Sequence, residues 1–165
     1  MSEPTPTKRS FPPVVNPRVR IVVLGSLPGE ESLARSQYYA NPRNQFWRLI
    51  GDVVERDLVS LGYEARLEAL LSCRVGLWDV VESALRSGSL DTAIRGDKPN
   101  DLAALVQSLP DLCAVAFNGG TSARIGAAQL PGGTVDQVPL PSSSPAYTLS
   151  YGKKLAAWLE LRRYL

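Results

Sequence analysis

The run Ile21-Val22-Val23-Leu24 breaks straight into Gly25-Ser26-Leu27-Pro28-Gly29. Four consecutive apolar residues with no polar alternation read as a short strand buried in a sheet. Glycine and proline then turn the chain. A strand that ends in a polar, glycine-rich loop is where open α/β sheets place ligands. The stretch runs on to Trp47 and interleaves aromatics with Arg43 and the amides of Asn41, Asn44 and Gln45. That mixture suits a surface that stacks on bases and contacts phosphates.

Similar punctuation recurs. Val75-Gly76-Leu77-Trp78 reads as a strand ending at Asp79, and Cys113-Ala114-Val115-Ala116-Phe117 as a buried one ending at Asn118-Gly119-Gly120. A last strand over 134–140 ends in Pro141-Ser142-Ser143-Ser144-Pro145. Helical stretches fall between. Phe46, Leu49, Ile50 and Val53 make a stripe at i, i+3, i+4 and i+7 behind Asn44. Helices are also expected over 63–72, from an Asn100 or Asp101 cap with Leu102, Leu105, Val106 and Leu109 inside, over 121–129, and over 150–164. A helical turn is expected at 30–36, helix at 79–86, and a polar excursion over 88–101.

Strands alternating with helices predict an α/β fold, a three-layer α/β/α sandwich around a short, mostly parallel central sheet. Residues 1–17, with five prolines, are expected as a flexible arm whose 11–15 part packs on the body, and 18–165 as one domain. Strand C-termini then share one edge, where the loops at 25–29, 78–79, 118–120 and 141–145 meet.

Composition excludes much chemistry. The 165 residues are 44% hydrophobic, enough for a core without disulfides or metals. Cys73 and Cys113 read as buried thiols in a reducing cytoplasm, and two thiolates cannot hold a four-cysteine iron–sulfur cluster. There is no histidine, which removes Ser-His-Asp and Cys-His catalysis and the common zinc sites. No apolar run has the length of a membrane span. Net charge is +2, with basic residues gathered at both ends, as a face meeting a polyanion requires.

Single motifs leave alternatives open. Gly25 to Gly29 lacks the Lys-Ser/Thr of a phosphate-binding P-loop and is no GxSxG elbow, so it is a close-approach loop or a plain turn. Asn44 is a helix cap, or an amide holding a water or a base edge. Tyr38 and Tyr39 pack or stack, and Asn118 turns the chain or contacts a ligand. The serines of 142–144 grip phosphates, with Lys153 and Lys154 near in sequence, or merely connect.

Together, Gly25-Ser26-Leu27-Pro28-Gly29 with Ser32-Leu33, the Tyr38–Trp47 stretch, Val75-Gly76-Leu77-Trp78-Asp79-Val80, Gly88-Ser89-Leu90-Asp91, Phe117-Asn118-Gly119 and Leu140 to Ala146 resemble the uracil-DNA glycosylase superfamily. The pattern is most similar to its family 6, the hypoxanthine-DNA (deoxyinosine) glycosylases. The resemblance implies a monofunctional repair enzyme without cofactor, metal or cluster. It would hydrolyse the N-glycosidic bond of a flipped, deaminated base in DNA, most readily hypoxanthine. Ser26 stands where relatives that excise mismatched uracil and thymine carry Asn, and the important Asn falls instead at Asn44. The same likeness makes Asn44 and Ser26 catalytic, and gives Tyr39, Asn118, Leu27 and Gly25 to the base. It gives Ser142, Ser143, Ser144, Pro145, Ala146, Arg43 and Lys153 to the DNA. A monomer working in the cytoplasm, at the bacterial nucleoid, is expected. The rivals are a uracil or mismatch-specific glycosylase, a non-catalytic module for damaged or single-stranded DNA, and a small-molecule N-ribosyl hydrolase.

Overall fold

Ile21, Val22, Val23 and Leu24 are all buried, as a strand covered on both faces demands. The computed structural model describes residues 7–130, 132–133 and 135–165. Its strands in chain order are β1 (Thr7–Arg9), β2 (Ile21–Gly25), β3 (Val75–Asp79), β4 (Val81–Leu85), β5 (Arg95–Pro99), β6 (Ala114–Asn118) and β7 (Asp136–Leu140). Its helices are α1 (Glu30–Arg35), α2 (Phe46–Val54), α3 (Tyr63–Ser72), α4 (Leu102–Ser108), α5 (Gly120–Gln129) and α6 (Tyr151–Trp158).

Four strands run parallel in the order β3-β2-β6-β7, with Ile21 opposite both Val75 and Ala114. The two-residue period of a strand divides β2 between two cores. Ile21 and Val23 join Phe46, Leu49, Ile50 and Val53 of α2, Leu70 of α3 and Trp158 of α6. Val22 and Leu24 join Leu102 of α4, Ile125 of α5 and Phe117. Burying each side chain of the α2 stripe stabilises the fold by roughly 1.5–3 kcal/mol, so packing rather than propensity holds this nine-residue helix. Helix α5 packs closely on β6, because a Cβ on Gly126 would collide with the Phe117 ring. The three-layer α/β/α reading therefore holds.

The helix expected over 79–86 does not form. Val80 and Val81 N–H donate to the carbonyls of Gly25 and Ser26, and the chain continues extended as β4. β4 pairs antiparallel with β1 and β5 in a second, three-stranded sheet. Non-local pairing overrides local propensity here. The polar excursion holds β5 and a 3-10 turn at Asp91–Ala93, and the last helix tightens to 3-10 over Leu159–Tyr164.

In the N-terminal segment the 11–15 part packs on the body as expected, whereas residues 7–9 are a strand rather than a flexible arm. Thr7–Arg9 is an edge strand on β4, and Val14 and Leu77 exchange backbone hydrogen bonds of 2.9 Å. Gly76 admits that approach, since a Cβ there would meet Val14 O at 2.8 Å. Residues 1–6 of the arm and position 134 of the expected last strand lie outside the described residues. Cys73 and Cys113 are half-buried free thiols rather than buried ones, because both sit at the solvent end of their runs. Among the described residues, no helix is long and apolar enough to cross a membrane.

Candidate active site

The C-terminal edge of the parallel sheet opens into a cavity of about 520 Å³. Its wall comes from the loop after β2 and the start of α1, from Tyr38, Tyr39, Asn41 and Asn44, from Asp79 at the end of β3, Ser89 to Thr92, Asn118 at the end of β6, and Ser142 to Tyr147. The four loops expected at this edge thus supply wall residues, and the 38–44 stretch and 89–92 of the polar excursion add to them.

The first loop is fixed from behind. Gly25 and Ser26 carbonyls accept from Val80 and Val81 N–H. Those of Leu27 and Pro28 accept from Arg86 Nη1 and Nη2, the former at 3.3 Å. Arg86 is fully buried; its Nε donates to Gly88 O at 3.1 Å, and its Nη1 lies 3.8 Å from Asp91 Oδ1. Asp91 Oδ1 also accepts from Ser26 Oγ at 2.5 Å. One guanidinium therefore ties the loop after β2 to the 88–91 segment, using its several donors in a fixed fork. The sequence reading missed Arg86. The β-branched pair Val80-Val81 was the available strand signal, and nothing local marked the arginine as buried.

Besides Glu30 and Glu31 of α1, two buried or half-buried carboxyl groups line the cavity in different environments. Asp91 is compensated by Ser26 and Arg86, although burial, the largest influence, still raises its pKa. Asp79 is 4% exposed and its Oδ2 has no hydrogen-bond partner. Burial, and then the charge of Asp91, push it up to about 7, against a smaller lowering by Arg86. The space over Gly25 is closed by this carboxyl and by Tyr39. A Cβ at Gly25 would meet Asp79 Oδ1 at 2.5 Å and the Tyr39 hydroxyl at 3.0 Å.

Tyr39 takes a left-handed backbone, φ 53°, and its ring stacks on Phe46 with centroids 3.9 Å apart. Both tyrosines line the cavity, but the Tyr38 ring is buried against Phe11 and its hydroxyl donates to Pro12 O at 3.0 Å. Asn44 also lines the cavity. Its Oδ1 accepts from Phe46 N–H at 2.9 Å, so capping the start of α2 and facing the cavity are combined in one side chain.

Asn118 is occupied. Its Nδ2 donates to Ser143 Oγ at 2.9 Å and the Tyr39 hydroxyl at 3.3 Å, and its Oδ1 accepts from Ser143 N–H at 2.9 Å. The amide expected to read a base lines the cavity and, in this structure, holds the 141–145 loop. Ser143 is correspondingly turned inward, leaving Ser142, Ser144, Pro145 and Ala146 at the rim. Gln45 N–H donates to Ser143 O at 3.0 Å, and Trp158 Nε1 to Pro141 O at 3.0 Å. Lys154, 1% exposed, donates from Nζ to Ser144 O at 3.2 Å. Lys153 beside it is exposed, and Arg43 is exposed outside the wall. Helical periodicity turns Lys154, not Lys153, toward the loop. Leu27 is buried in the wall beside Ser26.

A mostly apolar, open-mouthed cavity with an aromatic wall and converging amide, hydroxyl and carboxyl groups can hold a planar heterocycle. The comparisons agree in kind. A sequence model of the uracil DNA glycosylase superfamily matches residues 12–165. The hypoxanthine DNA glycosylase of Methanosarcina barkeri is 39% identical over 153 residues, covering 93% of this chain and 96% of that protein. The hypoxanthine DNA glycosylase of Methanosarcina acetivorans is 43% identical over 112 residues, covering 68% and 71%. A solution NMR structure from Methanosarcina acetivorans, described as a candidate uracil DNA glycosylase, superposes with a TM-score of 0.86 at 37% identity, covering 95% of this chain and 97% of that one.

Proposed function

We propose, from the fact that the chain belongs to the uracil DNA glycosylase superfamily, that it removes hypoxanthine from DNA by hydrolysing the N-glycosidic bond of deoxyinosine. The observation that carries the substrate is the 39% identity to a hypoxanthine DNA glycosylase across 93% of this chain. The cavity supports it, having an aromatic wall and a volume of about 520 Å³ for a base that must leave the helix before its sugar bond is reached.

In this reading the flipped base stacks on Tyr39, whose other face is covered by Phe46. Asn44 places the attacking water, whose O–H donates to the Oδ1 lone pair that the Phe46 N–H leaves free. Ser26, Leu27 and Gly25 form the floor against which the nucleotide is held. An amide is a poor base, so the rate comes mostly from positioning around an oxocarbenium-like state. The rim of Ser142, Ser144, Pro145 and Ala146 meets the DNA backbone, with Arg43 and Lys153 adding charge further out. No lysine is among the wall residues, which supports release of the base without strand cleavage.

The test is incubation with duplexes bearing one deoxyinosine or one deoxyuridine, followed by alkaline cleavage of abasic sites. Cleavage at deoxyinosine is expected. Cleavage at deoxyuridine alone would replace the substrate, and tight binding without cleavage would replace the enzyme by a binding module.

A further inference from the structure

Of the acidic residues that line the cavity, Asp79 and Asp91 are separated by their surroundings. Asp91 accepts the Ser26 hydroxyl proton at 2.5 Å and lies 3.8 Å from the buried Arg86 guanidinium, so its negative charge is matched. Asp79 has neither. Its side chain is 4% exposed, Oδ2 is buried with no donor, and Oδ1 overhangs Gly25 at the cavity floor. The charged or titratable groups that face it are Asp91, Arg86, Tyr38 and Tyr39. Tyr38 and Tyr39 are themselves held neutral by burial. An unmatched buried carboxylate costs several kcal/mol, and a group so placed keeps its proton instead. Pairs of carboxyls pushed apart in this way divide into an acid and an anion. The chain has no histidine that could hold a proton near neutrality.

We propose that Asp79 is the acid of the cavity: its protonated carboxyl donates a hydrogen bond to an acceptor on the departing purine and so offsets the negative charge that builds on the base as the glycosidic bond breaks. The inference rests on the base-excision reading above and adds a catalytic residue to it. Hypoxanthine presents acceptors at N7 and O6, which an ionised Asp79 would repel and a neutral one attracts. Asp91, matched by Arg86, remains the anion and a positioning residue for Ser26.

The pH dependence has a definite sign. Asp79 holds its proton below about 7 and loses it above, so excision falls as pH rises through that value. Folding follows the same proton. The folded state binds it more tightly than the unfolded chain, so stability declines as pH rises from about 4 through about 7.

The experiment measures single-turnover release of hypoxanthine from a deoxyinosine duplex from about pH 5 to about pH 9, for the wild type, Asp79→Asn and Asp79→Ala. The wild-type rate should drop about tenfold per pH unit above its midpoint, and Asp79→Ala should lose about a hundredfold at acidic pH. Asp79→Asn, whose amide donates at every pH, should recover most of that loss and give a flat profile. A wild-type rate that is flat or rises through pH 7, or an Asp79→Asn profile that keeps the wild-type bend, overturns the role. Thermal unfolding across the same range is a second readout independent of catalysis. The melting temperature of the wild type should fall with rising pH more steeply than that of Asp79→Asn, and parallel curves would also sink the proposal. If the wild type releases nothing at any pH, the base-excision reading fails, while the unfolding curves still decide whether Asp79 holds its proton.

Discussion

Asn118 and Ser143 bind each other twice: the Asn118 amide donates to Ser143 Oγ and accepts from Ser143 N–H, both at 2.9 Å. The end of β6 is thereby latched to the loop after β7, and with it one rim of the cavity. Asn118→Ala would leave a buried N–H without a partner, at a cost of about 1–3 kcal/mol. We expect a lower melting temperature and weaker binding to a deoxyinosine duplex. The affinity loss should exceed the loss in bond-cleavage rate, which quantitative binding and single-turnover assays separate.

Arg86→Ala removes one side chain that contacts Leu27, Pro28, Gly88 and Asp91. Truncating one partner of a buried charged network costs about 3–5 kcal/mol. Denaturant unfolding should show that range, and Arg86→Lys should recover little of it, because an ammonium cannot reproduce the guanidinium fork.

At Gly25 the obstacle is the cavity and not the backbone. Gly25→Ala would place a Cβ 2.5 Å from Asp79 Oδ1 and 3.0 Å from the Tyr39 hydroxyl. Both groups would have to shift by tenths of an ångström or more. Activity on deoxyinosine should fall about a hundredfold, the scale of a misplaced reacting group, while circular dichroism stays native.

Asn44→Ala tests two roles of one side chain. Loss of the cap at Phe46 N–H should lower stability by about 1 kcal/mol. Loss of the water-placing amide should remove most excision. A variant with near-normal release of hypoxanthine would leave Asn44 as a cap alone.

The strands and the stripe of α2 were legible because their information is local. Ile21 to Leu24 is uniformly apolar, and Phe46, Leu49, Ile50 and Val53 repeat at helical spacing. The cap by Asp101, which accepts from Ala104 N–H at 3.0 Å, was legible for the same reason. Asn44, Tyr39 and the serine loop were placed at the cavity because parallel strands must release their loops at one edge. The failures are of another kind. The segment 79–86 was read as helix, and the second sheet it joins is built with Thr7–Arg9, more than seventy residues away. That Lys154 and not its neighbour Lys153 reaches the loop was not legible either, since one residue on a helix turns a side chain by about 100°.

The sequence alone therefore determined the alternating α/β pattern, the edge at which the site lies and the absence of histidine chemistry, since period, punctuation and composition are properties of the chain itself. The tertiary structure decided the states of the polar groups. Arg86 became a buried clamp, Asn118 a latch, Asp91 a matched anion and Asp79 an unmatched acid. Charge and hydrogen-bonding capacity are fixed by which distant residues exclude water and supply partners, and no single segment carries that information.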